Sequence, residues 1–197
     1  MSGATAPSEP TLGAAETVAA ILARRGVDSA LIGAVALAAH LYPRSTEDVD
    51  LAVGVDPKAL TEIADDLRGA GFAVEVSEPD PQDPLGGVLR VKGEGIDRIE
   101  IVNFCNPPGG GFPALVEAAL RDAVPYREGA SLRVVTLPHL ILFKLYAGGL
   151  KSRSDVLELF SRNPGIDLEG LRARCRQLRL DRRLEAWLRE LKSSTDE

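Results

Sequence analysis

Cysteine, histidine and aromatic side chains are all scarce in this sequence. Two cysteines, Cys105 and Cys175, are too few to frame a disulfide scaffold and fit the reduced thiols of a cytoplasmic protein. Only His40 and His139 accompany them, and no pair has the spacing of a zinc site. Long apolar runs are missing too. The longest, residues 30–39, is interrupted by Gly33, whereas a membrane helix needs about 20 residues, so nothing in the sequence is expected to cross a bilayer. The opening residues 1–11 are small, polar and proline-containing, with no basic region ahead of an apolar run. They predict a flexible tail over 1–12 and not a signal peptide.

What is present is an ordinary globular balance, 45% apolar and 26% charged, in 197 residues. A chain of that length buries roughly 70% of its unfolded surface and can hold a full core. The net charge of −6 argues at first against a polyanionic partner, but the distribution is uneven. Residues 151–192 carry eleven basic and seven acidic side chains, a local +4 that leaves −10 for the rest. Within that stretch Arg172, Arg176, Arg179 and Arg183 follow spacings of four, three and four, the spacing of one helical stripe.

Helical spacing over 12–25 is followed by a short apolar strand at 30–32 and a helix over 33–41. A strand at 49–53 precedes Asp56-Pro57, an N-cap and first-turn proline that open a helix burying Leu60, Ile63, Ala64 and Leu67. Strands follow at 72–76, 88–92 and 98–104, the last two turned by Gly93-Glu94-Gly95. Loops rich in Pro, Asp and Gly fill 77–87 and 106–111. A helix over 113–123 and a strand over 131–135 complete the mixed part, and every later segment reads as helix. The pattern predicts an α/β (α+β) core at 13–135, a mixed sheet flanked by helices, with a C-terminal helical part at 136–197.

The chemistry concentrates in Leu31-Ile32-Gly33-Ala34 and in Arg44-Ser45-Thr46-Glu47-Asp48-Val49-Asp50-Leu51. Alternate residues of a strand share a face, so Asp48 and Asp50 project together while Val49 and Leu51 enter the core. Two neighbouring carboxylates repel, and a divalent cation between them relieves the repulsion. Magnesium suits such hard oxygen donors and commonly adds substrate phosphates to them. Gly33 ends an apolar strand and opens a helix, where backbone N–H groups can meet phosphate oxygens.

These residues resemble the nucleotidyltransferase superfamily typified by polymerase beta: Gly-Gly or Gly-Ser, a spacer, then Asp-x-Asp or Asp-x-Glu. The spacer here is residues 35–47. The stretch IGAVALAAHLYPRSTEDVDLAV is most similar to the small bacterial AbiEii-type group, which includes toxin members, and TLPHLILFKLYAGGLKSRSDVLEL is similar to that group's lysine-bearing second motif. Ala34 stands where Gly or Ser is usual, Gly149 where Arg is frequent and Ser152 where Asp is frequent.

The resemblance implies a cytoplasmic, NTP-dependent enzyme that moves a nucleoside monophosphate to a hydroxyl and releases pyrophosphate. Asp48, Asp50 and Glu100 would hold one or two magnesium ions, with Glu100 able to serve as base instead. Gly33, Ala34, Arg44, Ser45, Lys144, Lys151 and Asp155 would contact the nucleotide. Lys144, the one charge in an apolar helix, needs a partner if buried, either phosphate or Asp155 on the next helix. The acceptor would be RNA or tRNA, guided by the arginine-rich C-terminal helices, or a protein hydroxyl. A toxin-type member would have a cognate antitoxin. The alternatives are an aminoglycoside-like small-molecule acceptor and a non-catalytic nucleotide-binding regulator. Arg90 and Lys92 read as solvated edge charges, Asp97 as a turn residue, His40 as structural and Trp187 as core.

Overall fold

The computed structural model describes residues 6–79, 85–106 and 113–193, so parts of the tail and of both Pro/Gly-rich loops lie outside the described residues. The chain divides into two compact units, Met1–Ala39 with Pro43–Thr136, and His40–Tyr42 with Leu137–Glu197.

The first unit begins with α1 (Glu9–Arg24), three residues ahead of the expected start. The reason is local. Ser8 caps the helix by accepting from the Thr11 N–H, and Pro10 occupies the first turn, where its missing donor costs nothing. The order continues β1 (Ala30–Ile32), α2 (Gly33–Ala39), β2 (Val49–Val53), α3 (Pro57–Gly69), β3 (Ala73–Ser77), β4 (Val88–Lys92) and β5 (Ile99–Asn103). Then come α4 (Pro113–Arg121), β6 (Val124–Pro125) and β7 (Arg133–Val134). The strands form one mixed sheet in the order β3-β4-β5-β2-β1-β7-β6. The pairs β2–β5 and β1–β7 are parallel and the others antiparallel.

Alternation along the strands sorts the two faces of this sheet. Val49, Leu51, Leu89, Val91, Ile99 and Ile101 are fully buried, while Asp50, Arg90 and Glu100 between them stay partly exposed. Helix α1 contributes Leu12, Ala15, Val18 and Leu22 to the core and α3 contributes Leu60, Ile63, Ala64 and Leu67. The two helices pack on each other and on β2 and β3. Burial of these side chains, about 1.5–3 kcal/mol for each large one, holds the unit together.

A buried amide fastens the far end of the sheet. Asn103 Nδ2 donates to the carbonyls of Val55 (2.9 Å) and Gly86 (3.1 Å), and its Oδ1 accepts from the N–H groups of Val55 and Cys105. At the opposite end the Thr11 hydroxyl donates to Asp97 (2.9 Å) and accepts from the Asp97 N–H (2.9 Å), joining α1 to the entrance of β5.

The second unit contains α5 (Leu137–Ala147), α6 (Gly149–Arg162), α7 (Leu168–Gln177) and α8 (Asp181–Ser193), in which α6 packs on α5 and α8 on both α6 and α7. Trp187 is buried on α8 beside Leu184 and Leu188. The thiol of Cys175 is also buried, and burial pushes its pKa up to about 11. Such a thiol is a packing group and a poor nucleophile.

The four arginines do not form one continuous helical stripe. Helix α7 ends at Gln177, Arg179 adopts φ 57° in the connection, and α8 starts at Asp181. Arg172 and Arg176 therefore lie on one helix and Arg183 on another. Among the described residues, no helix is long and apolar enough to cross a membrane.

Candidate active site

The sheet brings the sequence motif and a distant strand into one row. Asp50 of β2 stands opposite Glu100 of β5, Glu100 stands opposite Arg90 of β4, and on the other side Asp50 pairs in register with Ile32, the last residue before Gly33. Registered partners share a face, so Asp50 and Glu100 present their carboxylates side by side. Asp48, two residues before Asp50, adds a third at the entrance of the strand. Its N–H donates to the Thr46 hydroxyl (3.2 Å), a side-chain turn that fixes how the chain enters β2.

Gly33 is required at its place twice over. Its φ is 63°, a conformation that side chains disfavour, and a Cβ there would overlap the carboxylate of Asp50. The Gly33 backbone thus lies directly against the acidic face. Ala34 follows it as a buried residue of α2, and Arg44 and Ser45 lie in the connection from α2 to β2.

Two arginines converge on the carboxylates. Arg98 Nη2 contacts Asp48 Oδ2, and Arg98 Nε lies 3.3 Å from Glu100 Oε1, so one guanidinium bridges both acids. The Asp48 carboxylate, assisted by Glu100 and Asp50, holds Arg98 more firmly in its charged form than an isolated arginine. Arg90 Nε approaches the same Glu100 oxygen at 3.3 Å, while its Nη1 donates to Ser77 Oγ at 2.8 Å. Arg90 is therefore not an edge charge. Strand β4 is internal to the sheet, and Arg90 belongs to the acidic row by register. Lys92, at the end of the same strand, pairs with Glu75 at 3.2 Å near solvent. Among the described residues, no three His, Cys, Asp or Glu side chains converge closely enough to hold a metal ion as they stand.

The second-motif residues belong to the helical unit. Lys144 Nζ donates to Asp155 Oδ2 at 2.7 Å, with the carboxylate almost wholly buried (2% exposed) and the lysine nearly so (15%). Lys151 is exposed on α6. Nearby, buried His139 meets Arg174 through Nε2 at 3.1 Å. Arginine can only donate, so Nε2 accepts and the ring proton sits on Nδ1.

Arg98 and Arg90 are the residues that sequence reasoning missed. The signal for Arg98 was its same-face spacing to Glu100. For Arg90 the signal was not local, because its partner is fixed by strand register.

No family model matches the chain, and no curated protein matches it in sequence. Solved structures do. The solution structure of the antibiotic-resistance factor ANT(2'')-Ia is similar over 95% of this chain and 97% of that one, at 15% identity and TM-score 0.51. A crystal structure of ANT(2'')-Ia in complex with adenylyl-2''-tobramycin matches over 85% and 98%, at 15% identity and TM-score 0.52. An antigenic nucleotidyltransferase-like protein from Paracoccidioides brasiliensis matches over 93% and 94%, at 17% identity and TM-score 0.53. At such identities the likeness is one of fold, and the chain has the nucleotidyltransferase fold.

Proposed function

We propose that the chain is a magnesium-dependent nucleotidyltransferase that moves a nucleoside monophosphate from an NTP to a hydroxyl. The observation that carries this reading is the registered Asp50–Glu100 pair, with Asp48 linked to Glu100 through Arg98 and Gly33 lying against Asp50. A side-by-side row of carboxylates is unfavourable unless positive charge joins it. The Arg98 guanidinium between Asp48 and Glu100 marks where that charge is accommodated.

By type the donors suit a hard cation, three carboxylates with no soft ligand among them, but they would have to draw together from where they stand to hold one. Asp48, Asp50 and Glu100 would hold it. One or two magnesium ions there would supply charge neutralisation of the triphosphate and of the leaving pyrophosphate. Gly33 and Ala34 would bring backbone donors to phosphate oxygens that a side chain at Gly33 would exclude. Arg44 and Ser45, in the loop leading to Asp48, would contact the nucleotide as the resemblance implies. The acceptor oxygen would attack the α-phosphorus, the α–β phosphoanhydride bond break and pyrophosphate depart, and Glu100, where it serves as base in place of metal ligand, would take the hydroxyl proton. Lys144, Lys151 and Asp155 would contact the nucleotide, as the resemblance implies, and Lys144 donates to Asp155.

Two acceptor readings remain. RNA, tRNA or a protein hydroxyl follows from the AbiEii-type resemblance, with a toxin role, a cognate antitoxin and a cytoplasmic setting. The small-molecule reading gains from two observations. Arg172 is paired with Glu185 and Glu169, and Arg183 donates to the Leu145 and Tyr146 carbonyls, which removes guanidinium groups from the expected RNA-guiding surface. In addition, ANT(2'')-Ia, seen with adenylyl-2''-tobramycin, is matched over nearly its whole length.

The test is incubation with labelled NTPs and magnesium, alone, with total RNA and with an aminoglycoside panel. Label should move to one acceptor and stop when EDTA is added. Label in RNA or protein supports the first reading and label in the aminoglycoside supports the second. If nothing is labelled and NTP with magnesium leaves the melting temperature unchanged, the reading is wrong.

A further inference from the structure

We propose that the cavity between helix α4 and the outgoing ends of β2 and β5 is a second ligand site, which takes a small molecule with an apolar body and a single cationic amine. The site is independent of the nucleotidyl-transfer reading.

The topology puts this cavity at the opposite end of the strands from the acidic row. Strands β1 and β2 are antiparallel, so residues 26–28, ahead of β1, share an end of the sheet with Gly54 and Val55, which follow β2. Strand β5 is parallel to β2 and delivers Phe104 and Cys105 to the same end. Helix α4 packs on β2 and closes the remaining side with Val116, Glu117 and Leu120. The space these segments line is about 510 Å3. Pockets that hold small molecules have volumes of this size. Asp50 stands about 10 Å before the end of β2, at the usual rise of a strand, so this is a place apart from the carboxylates.

Two features keep the cavity open and its wall apolar. The fully buried amide of Asn103 satisfies both the N–H and the carbonyl of Val55 and the N–H of Cys105. A ligand therefore meets Val27, Val55, Val116 and Leu120 as apolar surface, with these backbone groups already paired. Gly54 is the second feature. A Cβ there would come within 3.1 Å of Val116 Cγ1, so a side chain at this position would crowd the α4 wall.

Charge at the mouth sets the class of ligand. Asp28 is matched by Arg133 at 3.7 Å and Arg121 by Asp122 at 3.0 Å. Among the described residues Glu117 has no ion-pair partner, and it is exposed at the rim. The mouth thus holds one uncompensated negative charge above an apolar floor. An anion is repelled by Glu117, and a polycation would have to bury charge against the floor. A single amine on an apolar body meets both conditions, its charge at the rim and its body inside.

The test follows the amide resonances of the isotope-labelled full chain during titration with naphthylethylamine, naphthylethanol and naphthylacetate. The amine should shift the resonances of Val27, Val55, Val116 and Leu120. It should bind about threefold more tightly than the alcohol, within the range that an exposed ion pair supports, and the carboxylate should bind more weakly than either. The exposure of Glu117 predicts that Glu117→Gln folds, which its melting curve checks. This variant should erase the difference between amine and alcohol and leave the alcohol's affinity unchanged. Three results would overturn the proposal: no shifts with any of the three compounds, shifts confined to residues outside the cavity, or an amine preference that survives in Glu117→Gln. None of these measurements reads nucleotide transfer, so the proposed function stands or falls separately.

Discussion

Gly33, the first residue of α2, lies so close to Asp50 of β2 that a Cβ on the glycine would overlap the aspartate carboxylate. The contact joins the two halves of the sequence motif, which are seventeen residues apart along the chain. It also makes the glycine testable on two separate grounds. Gly33→Ala forces a side chain into φ 63° and pushes Asp50 away. Strain of this kind costs about 1–3 kcal/mol, which urea unfolding should register. Nucleotide binding should weaken as well. A stable Gly33→Ala protein with native NTP affinity would show that the close approach is incidental.

Asp50→Asn keeps the shape of the side chain and removes its charge. If Asp50 is a metal ligand, transfer should fall about a hundredfold or more while the fold persists. The native protein at a nucleotide concentration of 100 times Kd should gain about 2.7 kcal/mol from NTP with magnesium, a rise of several degrees in Tm. Asp50→Asn should lose most of that rise. Loss of folding in this variant would instead make the aspartate structural, and an undiminished rate would remove it from the active site.

The link between Thr11 and Asp97 predicts a pH dependence. The Thr11 hydroxyl, and after it Ser8, holds the Asp97 carboxyl below its ordinary range. A carboxylate whose folded pKa is depressed contributes stability that is fully present above the unfolded value, about 3.9, and is lost as pH falls through the folded value. Thr11→Val should therefore destabilise at neutral pH, and the gap to the native protein should narrow once pH drops below about 4. It should not close, because Thr11 also accepts from the Asp97 N–H regardless of pH. Urea unfolding across that range checks the sign. A gap that stays constant would mean that only the backbone bond matters.

The sequence made some of this site legible and hid the rest, for physical reasons. The β2 strand around Asp50 is legible because strand geometry is local, and the Asp56-Pro57 helix start is local in the same way. The participation of Arg90 depends on which strands are neighbours. Without the order β4-β5-β2 the residue looked like an edge charge. The start of α1 is hidden because Ser8-Glu9-Pro10 has a tail-like composition, although it carries a cap and a first-turn proline. The break between α7 and α8 left no mark, since neither Gly nor Pro stands at 178–180 and Arg179 itself takes the positive φ. Strand β6, two residues ending in Pro125, is too short to have a period.

The Lys144–Asp155 pair can be asked which partner the lysine serves. The 2.7 Å bond with a nearly buried carboxylate has the form of a structural pair, whereas the resemblance assigns the lysine to the nucleotide. Breaking a buried pair by removing one partner costs about 3–5 kcal/mol, because the other charge is left in a poor solvent. Lys144→Met fills the same volume without the charge, so a structural role predicts a loss of that size. The double variant Lys144→Met, Asp155→Leu removes the stranded carboxylate too and should recover much of the loss, a coupling that a double-mutant cycle isolates. A nucleotide role predicts something different: Lys144→Met would weaken NTP binding, and the double variant would not restore it. Measuring both urea stability and NTP affinity in the native protein, the two single variants and the double variant separates the two roles. Recovery of stability together with unchanged NTP affinity in the double variant would confine Lys144 to holding α5 against α6. A persistent affinity defect, in a double variant as stable as the native protein, would place the ammonium on the triphosphate.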